Sequence, residues 1–135
     1  MPKNQNMLTF TGFIYKVFIK VINTFPFRNK FAHFLKKTNI IPIDLFYKDL
    51  KIRGKFKVTF DNNYFVLNAS EGAIENETFW KGLFKSWESD TGWIFKSLLK
   101  KSQNVFDIGA NIGIYSLVAK SVDPSLKVYA FEPSN

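Results

Sequence analysis

Four residues suited to ligand binding stand close together in the last third of the sequence. A short apolar run, 105–108, contains Asp107 and is followed by Gly109, Asn111 and Gly113. An acid where a buried strand ends is a poor packing residue, because a buried carboxylate needs partners. Gly109 permits a sharp turn and a close approach to a ligand, and Asn111 is a candidate cap for a following helix. Gly113, in the first turn, would let that helix lie close to the strand or to a ligand.

A second acid, Glu132, follows Asp107 by 25 residues, at the end of the next predicted strand. The carboxyl ends of neighbouring parallel strands share one edge of a sheet, and ligands bind there. A carboxylate in this position can accept hydrogen bonds from both hydroxyls of an adenosine ribose. The pair therefore predicts an adenosine-binding edge. The plainer interpretation is a glycine turn and an unrelated acid in an ordinary βαβ unit.

Two classes of adenosine cofactor use such a ribose acid, and the loop discriminates between them. Dinucleotide sites carry G-x-G-x-x-G, whose backbone N–H groups face a pyrophosphate. Here the sequence is D-x-G-A-N-x-G, with Asn111 at the second glycine position and Asp107 before the loop. A carboxylate repels a pyrophosphate and attracts an ammonium or a sulfonium. The loop favours S-adenosylmethionine, and an NAD-linked Rossmann oxidoreductase is the alternative.

The run Asp107-Ile-Gly-Ala-Asn-Ile-Gly113, together with Phe131-Glu-Pro133, resembles the FkbM-type methyltransferases. These are a branch of the class I S-adenosylmethionine-dependent enzymes. Residues 87–89, before the helix that leads into the first parallel strand, are also similar to that family. The likeness is close over 103–133 and loose over 64–135.

The resemblance implies S-adenosylmethionine as the cofactor and O-methylation of a hydroxyl on a small-molecule, carbohydrate-linked or lipid-linked acceptor. It implies that the methionine end of the cofactor is lined by Asp107, Gly109, Ala110, Asn111 and Gly113. Glu132 would hold the ribose hydroxyls, and Glu88 is a further candidate for the cofactor pocket. The alternative for Glu88 is a solvated or capping acid. No residue is identified as the catalytic base.

The sequence departs from this family in its extent. A complete domain of the family resembles a mostly parallel sheet of seven strands, whereas only two parallel strands are predicted here. Parallel sheets are normally covered on both faces, and two strands have few neighbours. We therefore expect an α/β, Rossmann-like class I methyltransferase fold that is truncated after its second parallel strand. On this interpretation the chain is an N-terminal fragment and is inactive alone.

Other elements precede this unit. Apolar residues at helical spacing predict an amphipathic helix from Phe10 to Phe25, after a loose start and ended by Pro26, and a second helix over 27–37. Alternation over 56–60 and 64–67, around a turn at 61–63, predicts a β-hairpin.

The remaining periodicity predicts two helices and the βαβ unit. Aromatic and apolar residues indicate a short helix over 79–87 and another over 89–101. A strand over 105–108, a helix over 112–122 and a strand over 127–131 complete the βαβ unit. We divide the chain into a basic helical extension, 1–50, and an incomplete methyltransferase domain, 51–135.

Charge is distributed unevenly between the two halves. Residues 1–60 contain twelve Lys and Arg and two acids, a net +10, whereas residues 61–135 contain seven and nine, a net −2. The basic half could simply present a solvated, packed surface. It could instead contact an anionic membrane or a glycolipid through residues 8–37, with Lys16 and Lys20 at the headgroups. Nucleic acid is not favoured, because no recognition motif accompanies the lysines.

Composition excludes several kinds of chemistry. The absence of Cys excludes disulfides, thiolate zinc sites and thiol catalysis, and the lone His33 predicts no metal site. Lys16 and Lys20 interrupt the most apolar stretch, which has neither a basic leader nor a small-residue cleavage site. We predict a soluble, cytoplasmic protein.

Overall fold

The computed structural model describes residues 4–38, 48–85 and 88–133, with side chains from residue 12 onward. Across these ranges the chain is mixed α/β, with five helices and two two-stranded sheets. The elements are α1 (Asn4–Thr24), α2 (Arg28–Thr38), β1 (Arg53–Phe60), β2 (Asn63–Ser70), α3 (Ala73–Lys81), α4 (Ser89–Leu99), β3 (Asn104–Ile108), α5 (Ile114–Val122) and β4 (Lys127–Phe131).

The predicted hairpin is confirmed. Strands β1 and β2 pair antiparallel from Arg53↔Ser70 to Phe60↔Asn63, and Asp61 turns the chain in a left-handed conformation. Alternate residues on both strands point into the core, as the period of two predicts. The buried members are Phe56, Val58, Phe60, Phe65, Leu67 and Ala69.

The helix predicted over 79–87 is wrong in position. Helix α3 covers Ala73–Lys81 and ends at Gly82, whose φ of 96° no helix can continue. Three polar residues of this helix, Glu75, Asn76 and Thr78, are buried, which hid the helical pattern. The Glu75 carboxylate accepts the Ser70 N–H and hydroxyl, and the Asn76 amide oxygen accepts the Ile52 N–H. Residues 86 and 87 lie outside the described residues.

Helices α1 and α2 confirm the two predicted amphipathic helices, although α1 begins at Asn4, earlier than expected. Polar contacts join them to the rest of the chain: Tyr15 donates to Asp49 at 2.9 Å, and Arg28 pairs with Glu71 at 2.5 Å. Lys36 also donates to the carbonyl of Phe79. No helix in the described part of the chain is long and apolar enough to cross a membrane.

The βαβ unit is confirmed, with β3 and β4 parallel and Asp107 opposite Ala130. Helix α5 packs one face of this pair through buried Ile114, Val118 and Ala119. The expectation of a buried strand holds only for Val105, because no other residue of β3 or β4 is buried. On the other face Ile108 is 82% exposed, and the rings of Phe106 and Tyr129 stack 5.1 Å apart.

Candidate functional site

The site predicted from sequence lies at the carboxyl edge of the β3–β4 pair, and backbone hydrogen bonds hold its loop in place. The N–H groups of Gly109 and Ala110 both donate to the carbonyl of Phe131, at 2.9 and 3.0 Å. The Gly113 N–H donates to the carbonyl of Ala110 at 2.7 Å. The loop is therefore tied to the end of β4 and closed on itself. We call residues 107–113 with Glu132 the loop edge.

The glycines of the loop edge are required by backbone conformation rather than by crowding. Gly109, Asn111 and Gly113 have φ values of 76°, 50° and 73°. Side chains rarely adopt this left-handed region, and asparagine is among the few that do. A Cβ built on Gly109 or Gly113 would meet nothing within 4 Å. The space over the loop is accordingly open at both positions.

Asp107 organises the start of α5. Its Oδ2 atom accepts the Ser116 N–H at 3.1 Å and the Ser116 hydroxyl at 2.6 Å. It thus satisfies a first-turn N–H group that the helix itself leaves without a partner. The prediction that Asn111 caps this helix is wrong, because the cap position is Gly113, which has no side chain. The carboxylate of Asp107, on β3, accepts a first-turn N–H group instead.

Glu132 lies across the loop from Asp107. Its Oε2 atom accepts the backbone N–H of Asn111 at 2.7 Å, so the carboxylate is held over the glycine turn. The residue is exposed. The two acids singled out from sequence thus meet the same loop from two adjacent strands.

Glu88 is brought to this region by a residue that the sequence did not single out. It accepts a hydrogen bond from the hydroxyl of Tyr115, in the first turn of α5. It stands at the start of α4 with φ 49° and makes no side-chain cap there. The capping interpretation of Glu88 is therefore wrong, whereas the residue is exposed, as expected of a solvated acid.

The ring of Tyr115 is fixed by two aromatic neighbours, Phe84 at 5.5 Å and Phe95 at 4.8 Å between centroids. Burial raises the pKa of the Tyr115 phenol, and the hydrogen bond and charge of Glu88 raise it further, with Asp107 adding to the effect. Tyr115 and Ser116 were both missed. Their signal was the position of two hydroxyls just after Gly113, at the start of a predicted helix.

A large groove lies elsewhere in the described part of the chain. It measures about 940 Å³ and lies between α1, α2 and residues 49–54, and neither Asp107 nor Glu132 lines it. The loop edge is an open surface, because two strands with one covering helix form only one side of a crevice.

Comparisons with protein-family models, curated proteins and solved structures found no match for this chain. The case for a function therefore rests on the geometry of the loop edge and on the sequence pattern.

Proposed function

We propose that this chain carries the first part of the cofactor site of an S-adenosylmethionine-dependent methyltransferase with a Rossmann-like class I fold. The observation that carries the proposal is the hydrogen bonding of the loop edge. Four of its backbone N–H groups donate within the protein, and the carboxylates of Asp107 and Glu132 lie beside them.

The backbone N–H groups distinguish between the two cofactor classes. A loop that holds a pyrophosphate directs its N–H groups toward the ligand. In this loop the N–H groups of Gly109, Ala110, Asn111 and Gly113 all donate within the protein, at 2.7–3.0 Å. Phosphate would find few donors and would face Asp107 and Glu132. A ligand that carries hydroxyls and a positive charge suits this edge better.

The residues present fit S-adenosylmethionine. Glu132 would accept hydrogen bonds from the ribose hydroxyls, exchanging the Asn111 N–H for them. Asp107 and Glu88 contribute negative charge on either side of the first turn of α5, which favours an ammonium and a sulfonium. When bound, the cofactor supplies an electrophilic methyl group. A hydroxyl acceptor is the part of the proposal that rests on the family resemblance alone.

Calorimetric titration of the protein expressed from its complete reading frame tests the proposal. We expect S-adenosylmethionine to bind more tightly than S-adenosylhomocysteine, which lacks the positive sulfur. Asp107→Asn should reduce that preference by roughly fivefold, since an exposed charge interaction is worth about 1 kcal/mol. The asparagine retains an acceptor for Ser116. Asp61→Asn is the matched control, because Asp61 lies at the hairpin turn and pairs with Lys96.

The same titration with NAD tests the alternative, an NAD-linked oxidoreductase. Tight binding of NAD without a response to S-adenosylmethionine would overturn the proposal and favour an oxidoreductase. Failure of the protein to bind S-adenosylmethionine at all would also reject it.

A further inference from the structure

Helices α1 and α2 and the turn between them expose large apolar side chains, a set that we call the aromatic face. On α1 its residues recur at helical spacing and, at 100° per residue, occupy a stripe about 140° wide. On α2 the face continues, and the rings of Phe25 and Phe27 join the two parts with centroids 6.3 Å apart. The exposed members are Phe13, Ile14, Val17, Phe18, Val21, Phe25, Phe27, Phe31 and Phe34.

This exposure does not arise because α1 is detached. The opposite side of the helix is held by Ile19, which is 7% exposed, and by a pair of hydrogen bonds through Asn23. The Asn23 amide donates to the Asp49 carbonyl at 2.8 Å and accepts the Lys51 N–H at 3.0 Å. A helix anchored in this way presents its apolar stripe outward. Soluble proteins seldom leave so large an apolar patch without a use.

Positive charge borders the aromatic face. Residues 12–38 contain six Lys and Arg and no acid. Lys16 and Lys20 follow one edge of the stripe on α1, and within the described residues neither has an acidic partner within 4 Å. On α2 the ammonium of Lys30 lies 5.5 Å from the Phe27 ring centroid. Apolar rings flanked by lysines are typical of helices that lie in a membrane interface.

We propose that the aromatic face docks on the surface of an anionic lipid bilayer. Both helices would lie in the plane of the interface, with their apolar residues among the upper acyl chains and Lys16 and Lys20 at the headgroups. A second copy of the chain is a poorer occupant, because residues 1–60 of each copy have a net charge of +10 and would repel one another. Nucleic acid would leave the apolar residues without a partner.

Co-sedimentation with vesicles tests this docking. We expect the full chain to bind vesicles of equal parts phosphatidylcholine and phosphatidylglycerol, and to bind pure phosphatidylcholine vesicles far more weakly. Val17→Glu should weaken binding by roughly tenfold or more, because it places a carboxylate in the interface. Val66→Glu is the matched control, since Val66 on β2 is 52% exposed against 46% for Val17. Circular dichroism verifies that both variants fold.

A second pair of variants tests the charge. Lys16→Glu with Lys20→Glu should weaken binding to the anionic vesicles by roughly 30-fold or more, because each lysine near the surface contributes about fivefold. Lys100→Glu with Lys101→Glu, at the end of α4, changes the net charge equally and should have little effect. Equal losses in both pairs would overturn the proposal, since net charge alone would then explain binding.

The absence of binding to anionic vesicles would also overturn it. If sedimentation equilibrium then gives a dimer that Val17→Glu dissociates, the aromatic face is an interface between copies. Binding of S-adenosylmethionine is a separate measurement at the loop edge, so failure of either proposal leaves the other intact.

Discussion

The loop edge and the aromatic face are both exposed, yet they are constructed in opposite ways. At the loop edge the acids and N–H groups make directed hydrogen bonds of 2.6–3.1 Å. The aromatic face consists of nine large apolar side chains, which have no hydrogen-bonding groups. Directed contacts concentrate binding energy in single residues, whereas apolar contacts spread it over an area. A single substitution at the loop edge should therefore strongly lower the affinity for a ligand. On α1 the effect of a substitution on stability should depend on how deeply the residue is buried.

The largest single effect is expected for Glu132→Ala. Loss of a charged acceptor for two ribose hydroxyls should cost about 3 kcal/mol, or roughly 100-fold in affinity for S-adenosylmethionine. Calorimetry measures this loss. Glu77→Ala is the control, because Glu77 pairs with Lys81 on α3, away from the loop edge. Equal affinities for Glu132→Ala and the parent protein would show that Glu132 does not bind the cofactor.

The next effect compares the two sides of α1. Ile19→Ala should lower the free energy of unfolding by about 2–3 kcal/mol, because it empties a buried position. Ile14→Ala, at a position 51% exposed, should change it by less than about 0.5 kcal/mol. Urea denaturation measures both. Similar losses would mean that the aromatic face is covered by protein rather than exposed.

A smaller effect compares glycines in the two regions. Gly113→Ala should destabilise the fold by about 1–2 kcal/mol, because its φ of 73° is unfavourable for any side chain. Gly12→Ala, inside α1, should stabilise it by about 0.5–1 kcal/mol. An added Cβ has no neighbour within 4 Å at either site, so the backbone alone decides the sign. Thermal unfolding measures the two shifts, and a destabilising Gly12→Ala would contradict the helical position of Gly12.

The smallest effect concerns Glu88→Gln. The amide keeps an acceptor for the Tyr115 hydroxyl but removes a charge, so the raised pKa of the phenol should fall toward its ordinary value. Because the folded-state pKa is raised, this bond stabilises the fold below pH 10 and its contribution is lost as the phenol ionises. Ultraviolet titration of the variants measures the change. In the Tyr115→Phe background, Glu88→Gln should leave the ultraviolet titration curve unchanged. A difference that persists there would show that the affected phenol belongs to another tyrosine.

Local order was largely predictable from the sequence. The hairpin, the βαβ unit and helices α1, α2 and α4 follow periods of 2 and 3.6 residues, and the structure confirms them. Helix α3 was misplaced because its buried Glu75 and Asn76 belong to a polar network. A residue that is buried through hydrogen bonds gives no apolar signal.

At the candidate site, the residues could be predicted from the sequence but most of their contacts could not. The sequence identified Asp107, the glycine loop and Glu132, because residue type and strand position carry that information. Their mutual hydrogen bonds, the bond between Tyr115 and Glu88, and the role of Asp107 in starting α5 required the fold. These contacts join residues 9 to 27 positions apart, and their geometry depends on how the strands and helices pack.

The sequence by itself determined that α1 is amphipathic and that its half of the chain is strongly basic. Only the tertiary structure decided which side of α1 faces the protein. Helical periodicity marks an apolar stripe, but the position of the helix depends on which residues find complementary partners. Here Ile19 and Asn23 find them, and the more apolar stripe remains exposed.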